Sequence, residues 1–291
     1  MPTASGGGRI DLHCHSSVSD GTRPPAEVMR RARAAGLDVV ALTDHDTVAG
    51  WAEAAETAAA MDGGPRFVPG IELSCAQDGR SLHLLGYLFD PGEPELAAEL
   101  ARIRDDRVIR ARRMVDRLRA LGVDVTWEQV LALARGDSVG RPHVARAMLD
   151  AGAVATIEEA FTERWIAPGG RAHADRYALD PVRAVRLIAG AGGVSVLAHP
   201  KADKRGYVIA DEVIERLAAA GLGGVEIDHP DHAAADRSHL RDLARGLGLA
   251  GTGGSDDHGA LTGDRLGRET TAPAEYETMI SVRPHPGRRA R

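Results

Sequence analysis

Two histidines stand one residue apart near the start of the chain, His13 and His15, in the segment RIDLHCHS at residues 9–16. In an extended strand successive side chains point to opposite faces, so both imidazoles are expected on one face and Leu12 and Cys14 on the other. Imidazole is a common metal ligand, and this spacing therefore indicates part of a metal site. Two surface histidines explain an isolated pair at least as well, so the assignment depends on ligands elsewhere in the chain.

Other histidines and carboxylates follow short apolar segments at several points. Imidazoles mixed with carboxylates suit Zn²⁺, Mn²⁺ or Fe²⁺, and two cysteines are too few for a structural zinc site built from thiolates. The candidate ligands outnumber what one ion needs, which predicts a cluster of two or three metals able to act together on a phosphoryl group. The residues concerned are Asp20, Asp44, His45, Asp46, Glu72, His83, His199, Glu226, His229, His232, Asp256 and His258.

The segments that must position these residues alternate between strand and helix patterns. Pro24 and Pro25 suit the first turn of a helix and Gly36 its end, so the chain begins as strand, helix, strand. This rhythm is typical of a parallel sheet or barrel, whose active-site residues gather at the carboxyl ends of the strands. The predicted strands are 10–15, 39–45, 67–74, 83–88, 194–199, 224–229 and 249–253, and the predicted helices are 24–35, 47–60, 181–191, 210–220 and 233–247.

The rhythm is interrupted by a long stretch with a helical pattern. Apolar residues from Leu96 to Leu121 recur at helical spacing and predict one long amphipathic helix, and three shorter helices are predicted at 127–134, 142–150 and 157–163. We interpret this stretch as a helical subdomain inserted into an α/β domain.

These patterns define the predicted domains. The barrel domain takes residues 9–92 and 179–267, and the helical insertion takes residues 93–178. Periodicity is lost after Gly267, so residues 268–291 are predicted to be a tail whose basic, proline-containing end is disordered and whose removal spares activity.

Composition limits the partners and the location. The 291 residues carry a formal net charge of −6, so no general positive field would hold nucleic acid or a membrane surface, and any anionic ligand must be bound locally. Neither a signal-peptide pattern nor an apolar run of roughly 18 residues is present, and the two cysteines suit a reducing compartment. We expect a cytoplasmic protein with no membrane contact and no obligate protein partner.

Five motifs resemble those of the PHP (polymerase and histidinol phosphatase) superfamily. They are DLHCHS at 11–16, TDHDT at 43–47, GIELS at 70–74, AHP at 198–200 and GSDDHG at 254–259, and the similarity spans residues 9–267. Within this superfamily the chain is most similar to bacterial nucleoside 3′,5′-bisphosphate phosphatases and 5′-to-3′ exoribonucleases. The resemblance implies a distorted (β/α)7 barrel in which the insertion forms one wall of the substrate pocket.

The resemblance also implies a trinuclear metal site, with Mn²⁺ as the first choice of ion and Zn²⁺ or Fe²⁺ as alternatives. Asp257 stands where relatives carry an aromatic residue, and strand alternation is expected to turn it away from the metals. The implied ligand groups are His13, His15, Glu72 and Asp256 for one metal, Glu72, His83 and His199 for a second, and Asp20, His45 and His258 for the third.

The implied activity is that of a metal-dependent phosphoesterase. A hydroxide that bridges two metals would attack a terminal phosphate of a nucleotide-like substrate: a 3′,5′-bisphosphonucleotide, an AMP-type nucleotide or the 5′ end of a short 5′-phosphorylated RNA. Asp46 or a coordinated water would protonate the leaving oxygen, and His232 is a second catalytic candidate.

Substrate binding is expected from residues near the proposed cluster. Arg141 and His143 open a predicted helix, where backbone N–H groups also favour anions, although an ordinary helix start explains them as well. His229 and His232 could reach the same pocket or lie in a surface loop. Arg171, in the loop that leads back from the insertion, is a further phosphate candidate.

Three other functions remain open on the sequence. A histidinol-phosphate or other small phosphomonoester phosphatase would keep the cluster, but the large insertion suits a deeper pocket. A non-catalytic metal-binding PHP module, like those that stabilise a polymerase, is a second alternative. The absence of a polymerase-sized remainder and the filled ligand positions argue against it. An amidohydrolase-like C–N hydrolase is possible because metal clusters on barrels serve both chemistries.

The His13 and His15 pair gives a first testable prediction. His13→Ala should weaken one metal site and leave the fold largely intact, because the change removes one ligand and little apolar packing. Metal content measured together with far-UV circular dichroism tests this. Unchanged metal content in the variant would return the pair to the surface-histidine interpretation.

Overall fold

The barrel in this computed structural model is a single sheet of seven strands that neighbour one another in chain order. The structure describes residues 8–134, 139–175, 177, 179–202 and 208–283. The sheet curves into a nearly closed barrel, which confirms the predicted (β/α)7 architecture. Its strands are β1 (Ile10–Asp11), β2 (Val39–Leu42), β3 (Arg66–Gln77), β4 (Arg80–Tyr87), β5 (Val194–Leu197), β6 (Gly224–Asp228) and β7 (Ala250–Gly253).

Strand β4 departs from the parallel pattern that the sequence predicts. β1, β2 and β3 pair in parallel, as do β5, β6 and β7, but β4 runs antiparallel to both β3 and β5. The reason is the turn at Asp78 and Gly79, whose φ angles of 51° and 74° join β3 directly to β4 as a tight hairpin. No crossover helix is then needed between these strands, and Glu72 and His83 come close together across the hairpin.

The barrel closes where the segments after β1 and β7 meet. The Asp256 amide donates to the His13 carbonyl at 2.7 Å, and the His15 amide donates to the Asp257 carbonyl at 2.9 Å. Regular strand geometry ends at Asp11, earlier than predicted, but the extended backbone continues. The predicted alternation therefore holds, since Leu12 and Cys14 lie in the apolar core and the two histidines face away from it.

The helices of the barrel surround the sheet and begin with favourable residues. Proline occupies the first helical position at Pro25, Pro181 and Pro273, where its fixed φ suits the helix and its missing N–H has no intrahelical partner to lose. These helices are α1 (Pro25–Ala34), α2 (Trp51–Ala60), α7 (Pro181–Gly190), α8 (Asp211–Ala219), α9 (Ala234–Leu247) and α10 (Pro273–Ser281).

The insertion contains four helices and an apolar core of its own. The first helix has two environments: Leu96, Leu100 and Ile103 pack in the core cluster of the barrel, whereas Met114 and Leu118 pack inside the insertion. This shared helix joins the insertion to the barrel over many residues. The helices are α3 (Pro94–Ala120), α4 (Trp127–Leu133), α5 (Arg141–Asp150) and α6 (Ile157–Ala160).

The segment after Gly267 contradicts the prediction that periodicity ends there. Thr271 donates its amide to the Ile10 carbonyl at 2.7 Å, and α10 packs against β7 with Tyr276 and Met279 buried. The helix was missed because it buries few apolar side chains and so shows little helical pattern. Residues 284–291 lie outside the described residues, and their predicted disorder remains a prediction. Within the described part of the chain, no helix is long and apolar enough to cross a bilayer.

The packing of α10 reverses the expected effect of cutting after Gly267. Met279 is fully buried, so Met279→Ala should lower the free energy of unfolding by about 2–5 kcal/mol through the cavity it leaves. Urea unfolding measures the change. Glu277→Ala, at an exposed position of the same helix, is the control and should change stability by less than about 0.5 kcal/mol. Equal stability of the two variants would mean that α10 does not contribute to the barrel core.

Candidate metal centre

All nine predicted ligands converge at the carboxyl end of the barrel. The geometry of the sheet explains this, because parallel strands direct the residues that follow them toward the same rim of the barrel. His83 reaches the rim by a different route, from within the antiparallel strand β4. The convergent residues are His13, His15, Asp20, His45, Glu72, His83, His199, Asp256 and His258.

The first ligand group is fully buried and consists of His13, His15, Glu72 and Asp256. His15 Nε2 lies 3.1 Å from Glu72 Oε2 and 3.2 Å from Asp256 Oδ1. His13 Nε2 lies 3.4 Å from each of the same two oxygens. One atom from each residue thus surrounds a small volume, in the ligand set that the resemblance implies.

The second ligand group is built on the same carboxylate of Glu72. His83 Nδ1 and His199 Nε2 lie 2.8 Å and 3.0 Å from Glu72 Oε1. His45 Nδ1 lies 3.2 Å from Glu72 Oε2, so His45 also borders this group, which the sequence prediction did not include. Glu72 therefore occupies the bridging position between the first two groups.

The third ligand group surrounds Asp20. His258 Nε2 lies 3.3 Å from Asp20 Oδ1, and His45 Nε2 lies 3.7 Å from Asp20 Oδ2. His15 joins them through its second nitrogen, with Nδ1 at 3.9 Å from Asp20 Oδ1. His15 thus faces the first group with one nitrogen and the third with the other, a sharing that strand alternation does not predict.

Hydrogen bonding provides an independent test of whether the cluster suits cations. Six of its buried atoms, five ring nitrogens and one oxygen of Glu72, have no partner in hydrogen-bond geometry among the described residues. Unpaired buried polar atoms are costly and rare, and here they face one small volume, which fits a site completed by divalent cations. The atoms are His13 Nε2, His15 Nδ1, His15 Nε2, His45 Nδ1, His83 Nδ1 and Glu72 Oε2.

The electrostatics of the cluster keep its carboxylates in the ligating form. Burial alone would raise the pKa of Glu72, but His45 and His83 hold that pKa well below its usual value. Burial is likewise outweighed at Asp20, where His45 and His258 hold the pKa well below normal. Against the opposing effect of burial, Asp256 and Glu72 raise the pKa of His15 to about 10. Protons therefore compete with cations for this ring.

A layer of residues behind the ligands fixes their positions. Asp44 accepts hydrogen bonds from the Ser16 amide at 2.8 Å and from Ser19 Oγ at 2.6 Å, which holds the loop that carries Asp20. His229 Nε2 lies 3.3 Å from Asp256 Oδ2 and so supports the side of this carboxylate that faces away from His13 and His15. His229 thus contacts a predicted ligand rather than an open pocket.

The structure surrounds His232 with backbone groups. Its Nδ1 donates to the Ile227 carbonyl at 2.9 Å, and its Nε2 accepts from the Lys201 amide at 3.2 Å. Burial lowers the pKa of His232, which keeps the ring neutral. With both nitrogens engaged, His232 joins the backbone after β5 to strand β6, and this geometry does not support the catalytic role predicted for it.

Asp46 also has a different environment from that expected of a proton donor. Its Oδ1 accepts from the Ser74 amide at 2.7 Å, and its Oδ2 accepts from Arg107 Nε at 2.6 Å. Burial raises the pKa of Asp46, but Arg107 and the other groups around it lower it by more, so the net pKa lies below normal. A carboxylate held ionised is a poor acid, and this arrangement favours a structural role for Asp46. Arg107 was missed because its partner lies in another predicted domain.

Of the three predicted substrate residues of the insertion, His143 lies beside the centre. His143 accepts from the Gly140 amide at 3.0 Å. Burial lowers the pKa of His143, although Asp20 lies near enough to oppose this effect. The ring is therefore beside the third ligand group. Arg141 lies over the Phe161 ring and lines a small cavity with Arg107. Arg171 is exposed in the loop after α6.

A barrel with a histidine and carboxylate cluster at its carboxyl end defines a metal-dependent hydrolase. The family model described as PHP domain matches residues 11–147, and the chain belongs to the PHP family of metal-dependent phosphoesterases. The family assignment and the phosphoesterase class predicted from the motifs are thereby confirmed.

Three similar proteins support this assignment. A 3′,5′-nucleoside bisphosphate phosphatase from Chromobacterium violaceum is 37% identical over 257 residues, which cover 88% of this chain and 89% of the relative. A 5′-3′ exoribonuclease from Haemophilus influenzae is 34% identical, with 86% and 90% coverage. The crystal structure of a candidate metal-dependent phosphoesterase from Bifidobacterium adolescentis has a TM-score of 0.88 at 31% identity and covers 98% of each chain.

The pair formed by Asp46 and Arg107 gives a prediction on stability. Arg107→Met should lower the free energy of unfolding by about 3–5 kcal/mol at neutral pH, because it leaves Asp46 ionised and buried without an opposite charge. The pair stabilises the fold above the carboxyl pKa of the unfolded chain, about 3.9, and this contribution is lost as the pH falls through the lower pKa of the folded protein.

A double-mutant cycle checks this contribution by urea unfolding. The double variant Asp46→Asn with Arg107→Met should be less destabilised than Arg107→Met alone, since no charge is left unpaired. Arg113→Met, at an exposed position of the same helix, is the matched control. Equal losses in the single and double variants would show that the ion pair itself is unimportant.

Proposed function

We propose that the protein hydrolyses a terminal phosphate monoester of a nucleotide-like substrate. Suitable substrates are a 3′,5′-bisphosphonucleotide, an AMP-type nucleotide and the 5′ end of a short RNA. The observation that carries the proposal is the joint position of three overlapping ligand groups and the insertion residue His143 beside Asp20. The relatives named for bisphosphonucleotide and RNA substrates support this choice.

The proposed cofactors are two to three divalent ions, with Mn²⁺ preferred over Zn²⁺ or Fe²⁺. The three groups would be held by His13, His15, Glu72 and Asp256, by Glu72, His83, His199 and His45, and by Asp20, His45, His258 and His15. When bound, such ions supply positive charge against phosphate oxygens and make water acidic enough to act as a nucleophile near neutral pH.

The insertion supplies groups that suit the remainder of the substrate. Arg141 can pair with a phosphate, and a guanidinium favours such anions because it presents several donors in one plane. His143 accepts from the Gly140 amide through Nδ1, so its proton resides on Nε2 and is directed toward the loop at Ser19. We propose that Arg141 pairs with the phosphate and that His143, beside Asp20, supports the loop next to it. Arg171 remains a weaker candidate because it is exposed.

A phosphate-release assay tests the proposed function. With Mn²⁺ present, we expect release from 3′,5′-bisphosphoadenosine, from AMP or from a 5′-phosphorylated RNA oligomer at rates well above that from histidinol phosphate. The expected order follows from the substrate contacts proposed above for the insertion. Metal content should be measured on the same samples, and activity should disappear on chelation and return with added metal.

Two variants make the assay specific to the site. Arg141→Ala should reduce turnover of the nucleotide substrates, whereas Arg113→Ala, exposed on α3, should leave turnover unchanged. Failure of the metal-loaded protein to act on every nucleotide and oligonucleotide would contradict the proposal. Preference for histidinol phosphate would favour the small-substrate alternative instead.

A further inference from the structure

Glu226 is a buried carboxylate that contacts two of the proposed ligands from behind. It lies in the middle of β6 and is 1% exposed. Its Oε1 lies 3.0 Å from His13 Nδ1, and its Oε2 accepts from the His199 amide at 2.8 Å. His13 and His199 belong to different ligand groups, so one side chain contacts both groups.

The contact with His13 sets which ring nitrogen carries the proton. A carboxylate only accepts, so Nδ1 must donate to Glu226, and in the neutral ring that can ligate a cation the lone pair is on Nε2. That lone pair faces Glu72 Oε2 and Asp256 Oδ1, both 3.4 Å away. The tautomer that Glu226 imposes is therefore the one that can ligate a cation at the first group.

The contact with His199 acts on the backbone. The residue has a φ of 29°, in a region that non-glycine residues seldom adopt. The hydrogen bond from its amide to Glu226 stabilises this conformation, and the ring is then directed to Glu72 Oε1 at 3.0 Å. A side chain on β6 thereby orients a ring that follows β5.

The surrounding structure leaves room for this carboxylate. A Cβ atom at Gly254 would lie 2.3 Å from His13 Cβ and 3.0 Å from Glu226 Oε1. The pairing of β6 with β7 also shifts register between Glu226 and Asp228. Gly254 belongs to the segment that joins β7 to the centre, and a larger residue there would displace the contact.

We propose that Glu226 is a positioning residue that sets the tautomer of His13 and the backbone of His199, and so couples cation binding at two of the ligand groups. The proposal rests on the ligand roles proposed above for these two histidines. Glu226 itself does not contact the substrate.

The chemistry of the two contacts makes glutamine a discriminating replacement. Both partners of Glu226 are N–H donors, and glutamine has the same shape but offers only one acceptor oxygen. The single oxygen of Glu226→Gln can accept from either His13 or His199. If it accepts from His13, the NH₂ group faces the His199 amide, and if it accepts from His199, the NH₂ group forces His13 into the opposite tautomer. Glu226→Asp keeps the charge and both acceptors on a shorter side chain.

The experiment is a calorimetric titration of metal-free protein with Mn²⁺, carried out on the full chain. Glu226→Gln should bind at least one Mn²⁺ about 10–100-fold more weakly than the wild type, and Glu226→Asp should fall between them. Glu275→Gln is the matched control, because Glu275 also accepts from a backbone amide, that of Gly251 at 2.8 Å, on the far side of β7. Its Mn²⁺ affinity should equal that of the wild type.

A second measurement separates positioning from general support of the fold. Histidine ¹⁵N spectra of the metal-free wild type should show His13 protonated at Nδ1, and Glu226→Gln should change this signature. Equal Mn²⁺ affinities in wild type and Glu226→Gln, or a wild-type His13 protonated only at Nε2, would overturn the inference. If the wild type itself binds no Mn²⁺, both the inference and the proposed function fail. If Glu226→Gln does not fold, the wild-type spectrum and the Glu226→Asp titration still decide.

Discussion

The carboxylate of Glu72 is the contact on which the rest of the centre depends. It is fully buried, and five imidazoles, those of His13, His15, His45, His83 and His199, lie within 3.4 Å of its oxygens. An ionised carboxylate in such a position is tolerated only where other groups or ions compensate its charge. The surrounding rings lower its pKa, and cations bound to those rings would compensate it further. This requirement explains why so many ligands converge on one residue.

The barrel satisfies this requirement by joining distant parts of the chain. His13 and Asp256 are adjacent because the segments after β1 and β7 exchange backbone hydrogen bonds, and His83 reaches Glu72 because β3 and β4 form a hairpin. Neither contact depends on a flexible loop. Ligands held by paired backbone lose less entropy when a cation binds, which is an advantage for a site that must be preorganised.

The sequence predicts the parts of this arrangement that are locally encoded. His13 and His15 share a face because of strand alternation, and Asp256 and His258 follow an apolar segment, so their convergence could be inferred from strand ends alone. The antiparallel course of β4 was missed, although the Asp78–Gly79 pair is a recognised hairpin signal. The contacts of Glu226 and Arg107 could not be inferred, because each depends on a partner that only the folded chain brings near. Helix α10 was missed for a different reason, since its apolar residues are not concentrated on one face.

The contact between Arg107 and Asp46 shows how the insertion influences the centre without providing a predicted metal ligand. Arg107 lies on the helix that the barrel and the insertion share, and its partner Asp46 directly follows His45. Asp46 has a φ of 56°, and its side chain and amide hydrogen-bond to the backbone of Ser74 and Glu72. A shift of α3 would therefore move Asp46, which links His45 to the backbone of β3. The ion pair therefore connects the insertion to the residue that follows His45, and binding energy from a substrate held by the insertion would contribute to the geometry of the centre through such contacts.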